Sequence, residues 1–270
     1  MEKNFETQTF GKRLNSMWRV DARRMFTSPL FYIMVGISFV VPILILVMTT
    51  MMASSAPSVP NAEQAAMGSF ENVWQILGSI SSATNGEGAG MSMDLVGMCN
   101  INMMYFAVAV LVCIFVADDF RSGYAKNLFT VRAKKTDYVL SKTLVCFIGG
   151  AAMILAFFVG AILGGSIAKL PFSMEGFNFA NLLFCILSKM ILVLIFVPIY
   201  LCMSVIAKQK LWLSMLLSFG VGMFLFNIAP MVSPLNSTAL HIVLCFAGGA
   251  MFAVGLGAIS NQILQKTSLI

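Results

Sequence analysis

The sequence predicts an all-helical protein that crosses a membrane six times, with an amphipathic helix before the first crossing. Of its 270 residues, 59% are hydrophobic and 10% are charged, whereas a soluble domain carries about 25% charged residues. Long hydrophobic runs without charge alternate with short polar segments. The basic residues lie at the ends of these runs and form no binding domain, which argues against a nucleic-acid-binding protein despite the net charge of +6.

The predicted spans follow from length. A helix that crosses a bilayer needs about 20 mainly apolar residues. The first run follows a long basic lead and exceeds the hydrophobic core of a signal peptide, so we interpret it as a retained helix. Residues 1–270 then form a single transmembrane domain. Its predicted spans are 30–52, 95–117, 143–168, 180–207, 211–229 and 238–260.

The orientation follows from lysine and arginine, which are enriched in cytoplasmic loops. The N-terminal segment, the segment 118–142 and the turn 208–210 hold nearly all the basic residues, while the other side has only Lys169. We therefore expect both termini in the cytoplasm, which agrees with an even number of spans.

The N-terminal segment has apolar residues at helical spacing, including Trp18, and basic residues largely on another face. A basic amphipathic helix with a tryptophan is typical of a helix that lies on the membrane surface against lipid. The alternative is an ordinary juxtamembrane helix. Ser28-Pro29 is expected to break the chain before the first span. The predicted surface residues are Lys12, Trp18, Arg19 and Arg23.

The outer loop 53–94 is long, and its charges are all acidic. It is either a small outer cap or substrate contact, or an incidental insertion. In the third span, Gly160 and Gly164 form a G-x-x-x-G pattern, which favours close helix contact in lipid.

Residues that carry chemistry are scarce. The chain has no P-loop motif and one histidine, His241, so an enzyme is not expected. No two of the six cysteines have a C-x-x-C spacing, which argues against a zinc site and a disulfide framework. We therefore predict no catalytic residue, no metal and no cofactor bound by this chain.

Lys189 is the only charged residue inside a predicted span, where a charge is costly. It lines a polar pathway, pairs with an outer acid such as Asp94 or Glu175, or extends to the outer headgroups. Asn100, Asn102 and Asn227 are further pathway candidates, with interhelical hydrogen bonding as the alternative. No acid lies well inside a span, which weakens a proton- or sodium-driven mechanism.

The segment between spans two and three reads DDFRSGYAKNLFTVRAKKTDYVLSK over 118–142. Together with the basic N-terminus, SPLFY at 28–32 and six spans, it resembles the permease subunit of ABC-2-type transporters, which include bacterial exporters of peptides, antibiotics and lipids. That family has an acid, a base and a glycine, then a basic stretch that ends in a lysine before span three. The matching residues here are Asp119, Arg121, Gly123, Arg132 and Lys142.

The resemblance implies a permease in a bacterial plasma membrane that acts as a dimer, of two identical or two different copies, with separate ATP-binding subunits. ATP and magnesium would be bound by those subunits, and the transport direction would be export. A helix in 118–142 would fit a groove of the ATPase. The coupling residues expected from the resemblance are Asp118, Asp119, Phe120, Arg121, Gly123, Tyr124, Lys126 and Leu128.

The spacing of Phe120, Tyr124 and Leu128 also indicates a helix with one apolar face. The alternative for the segment is a plain basic loop. The alternative for the whole protein is a multispan membrane protein without ATP coupling, such as an immunity or regulatory protein.

Overall fold

The computed structural model describes residues 10–55, 70, 72–78, 99–131, 135–173, 178–226 and 228–266. Every regular element in these ranges is helical. Two short 3-10 helices, Val73–Leu77 and Ile101–Met103, precede the second long helix. The α-helices are α1 Phe10–Thr27, α2 Pro29–Ser55, α3 Met104–Arg121, α4 Tyr124–Val131, α5 Lys135–Ile167, α6 Phe179–Ala207, α7 Leu211–Phe226, α8 Ala229–Val232 and α9 Ala239–Lys266.

Five helices are long and apolar enough to cross a membrane, namely α2, α5, α6, α9 and α3 with the 3-10 turn before it. The chain is therefore of the multi-pass membrane type by helix length and composition. The sixth apolar helix, α7, has 16 residues. At 1.5 Å per residue it is about 24 Å long, shorter than the roughly 30 Å hydrocarbon core.

The boundaries differ from the sequence prediction at the charged segment 118–142. The helix α3 continues to Arg121, and α5 already begins at Lys135 although the third span was predicted from 143. About half of the segment thus belongs to the ends of these two long helices. The extension is stable because its buried charges are paired, as described below.

The break at Ser28-Pro29 is confirmed, and it is small. Proline has no N–H and is well accepted in the first turn of a helix, where that group would be unpaired. The Ser28 amide donates to Met25 O, and the Phe31 amide donates to Ser28 O, so the hydrogen-bonded chain is nearly continuous. Phe26 and Phe31 pack edge to face across the break, with centroids 5.0 Å apart.

Both α1 and α2 run alongside α5 in the same direction. The sequence separation of contacting residues is 124 for Arg13–Asp137 and 120 for Asp21–Ser141, and it stays similar further along. A constant separation means that the two helices advance together. The later pairs are Met25 with Gly149, Phe39 with Gly160, and Ile43 with Gly164.

This direction differs from the predicted surface orientation of α1. If α5 crosses the membrane, a helix parallel to it stands upright instead of lying flat on the bilayer. The physical reason is the buried stripe of α1, in which Met17, Asp21 and Met25 recur every four residues. Asp21 and Met25 of this stripe contact α5. The predicted surface residues Lys12, Trp18, Arg19 and Arg23 are all exposed on the remaining faces.

Close contact at the G-x-x-x-G pattern of α5 is confirmed. A Cβ at Gly160 would overlap the carbonyl oxygen of Phe39, and a Cβ at Gly164 would lie 2.8 Å from Ile43 Cα. Real Cβ atoms do not approach backbone so closely. The missing side chains therefore allow α2 to pack directly on α5, as small residues do in membrane helix pairs.

The helices α2, α3, α5, α6, α7 and α9 alternate in direction along the chain, so the bundle has two distinct ends. At the first end Lys135 Nζ donates to Leu264 O over 2.6 Å, which places the start of α5 beside the end of α9. At the opposite end Asn181 Nδ2 donates to Asn236 Oδ1 over 2.6 Å, which joins the start of α6 to the segment before α9. We call the first the charged end and the second the loop end.

The described part of the outer loop packs on the loop end. The 3-10 helix Val73–Leu77 is largely buried, and a Cβ at Gly165 would lie 2.8 Å from Val73 Cγ1. Trp74 Nε1 donates to Phe172 O over 2.7 Å. This part of the loop forms a cap, so for these residues the structure favours a cap over an incidental insertion.

Candidate functional site

The turn between α3 and α4 is set by Gly123. Its φ is +72°, a left-handed conformation that glycine adopts without steric cost. The Ser122 amide donates to Asp118 O and the Asn127 amide donates to Gly123 O, so one helix ends and the next begins here. The sequence predicted one continuous apolar face from Phe120 to Leu128, and this turn divides it between two helices.

Asp119 lies at the centre of a buried cluster just before this turn, at the charged end. Its side chain is fully buried. Oδ1 accepts from Arg24 Nη1 over 2.6 Å, and Oδ2 is 2.8 Å from Lys142 Nζ and accepts from Tyr138 Oη over 2.8 Å. Two hydrogen-bond donors and one further cation, from α1 and α5, thus hold a carboxylate of α3.

Lys142 connects this carboxylate to a second one. Its ammonium is 3.0 Å from Asp21 Oδ1 and lies 3.7 Å from the ring centroid of Phe115, a cation–π distance. Ser141 Oγ donates to Asp21 Oδ2 over 2.6 Å. Both Asp21 and Lys142 are fully buried, so the contact between α1 and α5 contains an ion pair shielded from water.

The four ionic groups of the cluster balance. Asp21 and Asp119 oppose Arg24 and Lys142, and all four charges are paired with an opposite charge. The cost of burying a charge is reduced when an opposite charge lies beside it in this way. We call Asp21, Arg24, Asp119, Tyr138 and Lys142 the ion cluster.

The pKa of Arg24 reflects its place in the ion cluster. Burial lowers the pKa of Arg24, but the Asp119 carboxylate and its hydrogen bond outweigh this, so the pKa is raised overall. Arg24 also lies over the Tyr124 ring, 4.0 Å from its centroid. Burial raises the pKa of Tyr124. At neutral pH Arg24 therefore stays charged and Tyr124 stays protonated. The ring contact connects Tyr124, the first residue of α4, to the ion cluster.

A further ion pair extends the contact along α1. Arg13 Nε donates to Asp137 Oδ2 over 3.1 Å, and the Asp137 carboxylate is buried. The helix α1, the turn before α4 and the start of α5 are therefore joined by charge pairs at several levels. These elements are expected to move as one body.

The predicted coupling residues divide into three groups by their exposure. Asp119 and Phe120 face the interior, and Gly123, Tyr124 and Leu128 are half-buried. Asp118, Arg121 and Lys126 are exposed at the charged end. A partner protein that binds this surface would thus contact the exposed group, while Asp119 and Phe120 hold it in place.

Sequence reasoning missed Asp21, Arg24 and Tyr138 as members of the cluster. One signal was present, because Asp21 is the only acid in α1 and lies four residues from each of Met17 and Met25. An acid on the apolar stripe of an otherwise basic helix indicates a buried cation partner. Nothing in the sequence says that the partner is Lys142.

Lys189 is a second buried cation, at the loop end. Its side chain is fully buried, so its ammonium ends inside the protein and not at the headgroups. Nζ donates to Asn102 Oδ1 over 3.2 Å, to Ser233 O over 3.1 Å and to Ser233 Oγ over 3.3 Å. All three acceptors are neutral.

The structure thus brings two pathway candidates, Lys189 and Asn102, into contact. Asn100 is elsewhere engaged, because its Oδ1 accepts from the Asn102 amide and caps the 3-10 helix. Asn227 and the predicted acidic partners Asp94 and Glu175 lie outside the described residues.

A prediction follows for Gly123. Replacing it with alanine adds a Cβ that meets no atom within 4 Å, so only backbone strain of about 1–2 kcal/mol is expected. Asparagine tolerates this conformation better. We expect Gly123→Ala to lower the thermal unfolding midpoint in detergent and Gly123→Asn to lower it less. Equal midpoints for both variants and the wild type would show that the turn does not require positive φ.

Comparison with known proteins does not assign this chain to a family. No protein-family model, no characterised protein and no solved structure matches this chain.

Proposed function

We propose that this chain is the membrane-spanning subunit of an ABC-2-type transporter in a bacterial plasma membrane, exporting an amphipathic substrate with energy from a separate ATPase. The proposal takes α7 as a short sixth span and places the charged end in the cytoplasm. It rests on the resemblance of the segment 118–142 and on the geometry of that end. ATP and magnesium would be bound by the partner subunit.

The orientation is supported by the distribution of charge on the described helices. The charged end carries the basic residues of α1, α4 and the turn 208–210, and Leu264 of α9 lies there too. At the loop end the described basic residues are Lys169 and the buried Lys189. By the positive-inside rule the charged end is cytoplasmic. Residues 10 and 266 would then lie on the same side, as six spans require.

The observation that carries the proposal is the ion cluster. A transporter driven by another subunit needs a surface that is rigidly joined to its spans, because a flexible loop would absorb the movement. Asp119 lies in the last turn of α3, Lys142 lies in α5, and Arg24 packs on the first residue of α4. A displacement of α4 would therefore be passed to two long helices and to α1.

The exposed residues of this surface provide the test. Three exposed charged residues lie around the turn between α3 and α4, namely Asp118, Arg121 and Lys126. A basic surface favours an acidic groove on the partner. We therefore expect the double variant Arg121→Glu with Lys126→Glu to lose ATPase association in gentle detergent, while it still inserts in the membrane and unfolds at the wild-type temperature.

The matched control is Lys210→Glu with Lys266→Glu, which makes the same change of charge at exposed positions of the same end. It should keep the ATPase. Loss of association in both variants would indicate a general effect of net charge. If both variants keep the ATPase, the turn before α4 is not part of the contact with the ATPase.

The second candidate is a multispan membrane protein without ATP coupling. The ion cluster fits it as well if the cluster serves only stability. The two differ in the expected partner, since an uncoupled protein would purify without an ATPase. The proposal also implies a second permease copy, identical or different, and contact with membrane lipids.

A further inference from the structure

The Lys189 ammonium is hydrogen-bonded, but the described residues place no opposite charge beside it. An ammonium has three N–H donors, and they meet Asn102 Oδ1, Ser233 O and Ser233 Oγ. Among the described residues no carboxylate lies within 4.0 Å of Nζ. Burial of an ammonium costs several kcal/mol unless an opposite charge offsets it. The ion cluster at the other end meets this condition and Lys189 does not.

Beside the ammonium lies a donor without a hydrogen-bond partner in the described part of the chain. Asn102 is fully buried, and its Nδ2 has no hydrogen-bond partner among the described residues. The same amide offers its Oδ1 to Lys189 at 3.2 Å. An unpaired buried amide N–H costs about 1–3 kcal/mol. One charged and one neutral donor are therefore side by side without an anion.

Short elements surround these donors on the side of the loop end. Ser233 follows the four-residue helix α8, and its Oγ also donates to Ala229 O over 3.2 Å. Gly78, at the end of the cap, lies close enough that a Cβ there would be 4.0 Å from Nζ. An incoming anion could replace the two Ser233 contacts, and Ser233 would keep its bond to Ala229.

We propose that Lys189 and Asn102 form a binding site for the anionic group, carboxylate or phosphate, of an amphipathic molecule. This inference rests on the proposed transport function and narrows its substrate class to anionic amphiphiles. Two donors suit the two oxygens of such a group. A polar and ionisable pair inside a bundle of apolar helices is where a substrate pathway is expected. A bound anion would also supply the charge that Lys189 lacks.

The test uses the purified full chain alone, in neutral detergent. Its thermal unfolding midpoint is measured against rising dodecyl phosphate, dodecanoate and, as the uncharged probe, dodecanol. We expect a saturable rise with the two anions and none with dodecanol. A preference between the anions distinguishes a phosphate from a carboxylate substrate. No rise with either anion overturns the inference.

Two variants locate the site. Lys189→Met should abolish the saturable rise. Asn102→Asp should raise the midpoint without ligand, because its carboxylate would lie where Oδ1 now lies, and should weaken anion binding at least tenfold. The surface variant Arg19→Gln with Arg23→Gln should bind as the wild type does, because these two residues lie at the charged end. Equal rises in wild type, Lys189→Met and Asn102→Asp would place the anion elsewhere and overturn the inference.

One outcome would give Lys189 a partner within the chain. If the anion effect is absent in wild type and appears in Asp94→Asn or Glu175→Gln, an acid of the outer loops neutralises Lys189. The site would then be structural, and the inference would be wrong. Since no ATPase is present in this assay, its result is independent of the ATPase association that tests the proposed function.

Discussion

Replacing Lys142 by methionine is expected to destabilise the protein by about 3–5 kcal/mol, the usual cost of removing one partner of a buried ion pair. Asp21 would keep only the Ser141 hydroxyl, and Asp119 would keep Arg24 and Tyr138. Methionine fills a similar volume, so the loss would come from charge and not from a cavity. Thermal and denaturant unfolding in one detergent would measure it.

The control is Lys126→Met, which removes the same group from an exposed position of α4 and should change stability by less than about 0.5 kcal/mol. The double variant Asp21→Asn with Lys142→Met removes the unpaired acid as well. It should be more stable than Lys142→Met alone, because these neighbours do not act additively. If Lys142→Met unfolds like the wild type, the ion cluster does not join α1, α3 and α5.

Replacing Gly160 by alanine is expected to have the second large effect. The added Cβ would overlap Phe39 O and would lie 2.8 Å from Pro42 Cγ, so α2 would have to move away from α5. Overpacking costs about 1–3 kcal/mol when side chains can shift, and here the obstacle is backbone. We expect a loss at or above the upper end of that range.

Gly220 of α7 is the matched control, since a Cβ there meets no atom within 4 Å. Alanine has a higher helix propensity than glycine by about 1 kcal/mol. Gly220→Ala should therefore be neutral or stabilising in the same assay. A stabilising effect of Gly160→Ala would mean that α2 and α5 are not in direct contact.

Much of the helical layout could be predicted from the sequence, because hydrophobic runs of sufficient length leave few alternatives. The G-x-x-x-G contact and the break at Ser28-Pro29 were also predicted, since glycine and proline act through backbone geometry that is local. The short α7 shows the limit. The sequence predicts a span over 211–229, but the described helix ends at Phe226 and Asn227 follows it.

The candidate site was only partly predictable. The sequence singles out the charged segment 118–142 and predicts an exposed surface there, but Asp119 and Lys142 are buried. Their burial depends on Asp21 and Arg24, which lie about a hundred residues earlier and reach them only because α1 packs along α5. Charge pairing between residues so far apart in the sequence leaves no periodic pattern in the sequence. The contact between Lys189 and Asn102 was equally hidden, although both residue types were suspected from their cost in lipid.

The central claim is that a separate ATPase drives this membrane subunit through the surface at the charged end. Its most direct test is to purify the chain from its native cell in gentle detergent and to identify and quantify the proteins that accompany it. The account predicts a P-loop ATPase in an amount equal to this chain, lost in the Arg121→Glu, Lys126→Glu variant. A pure chain without any ATPase would contradict it and would favour a membrane protein without ATP coupling.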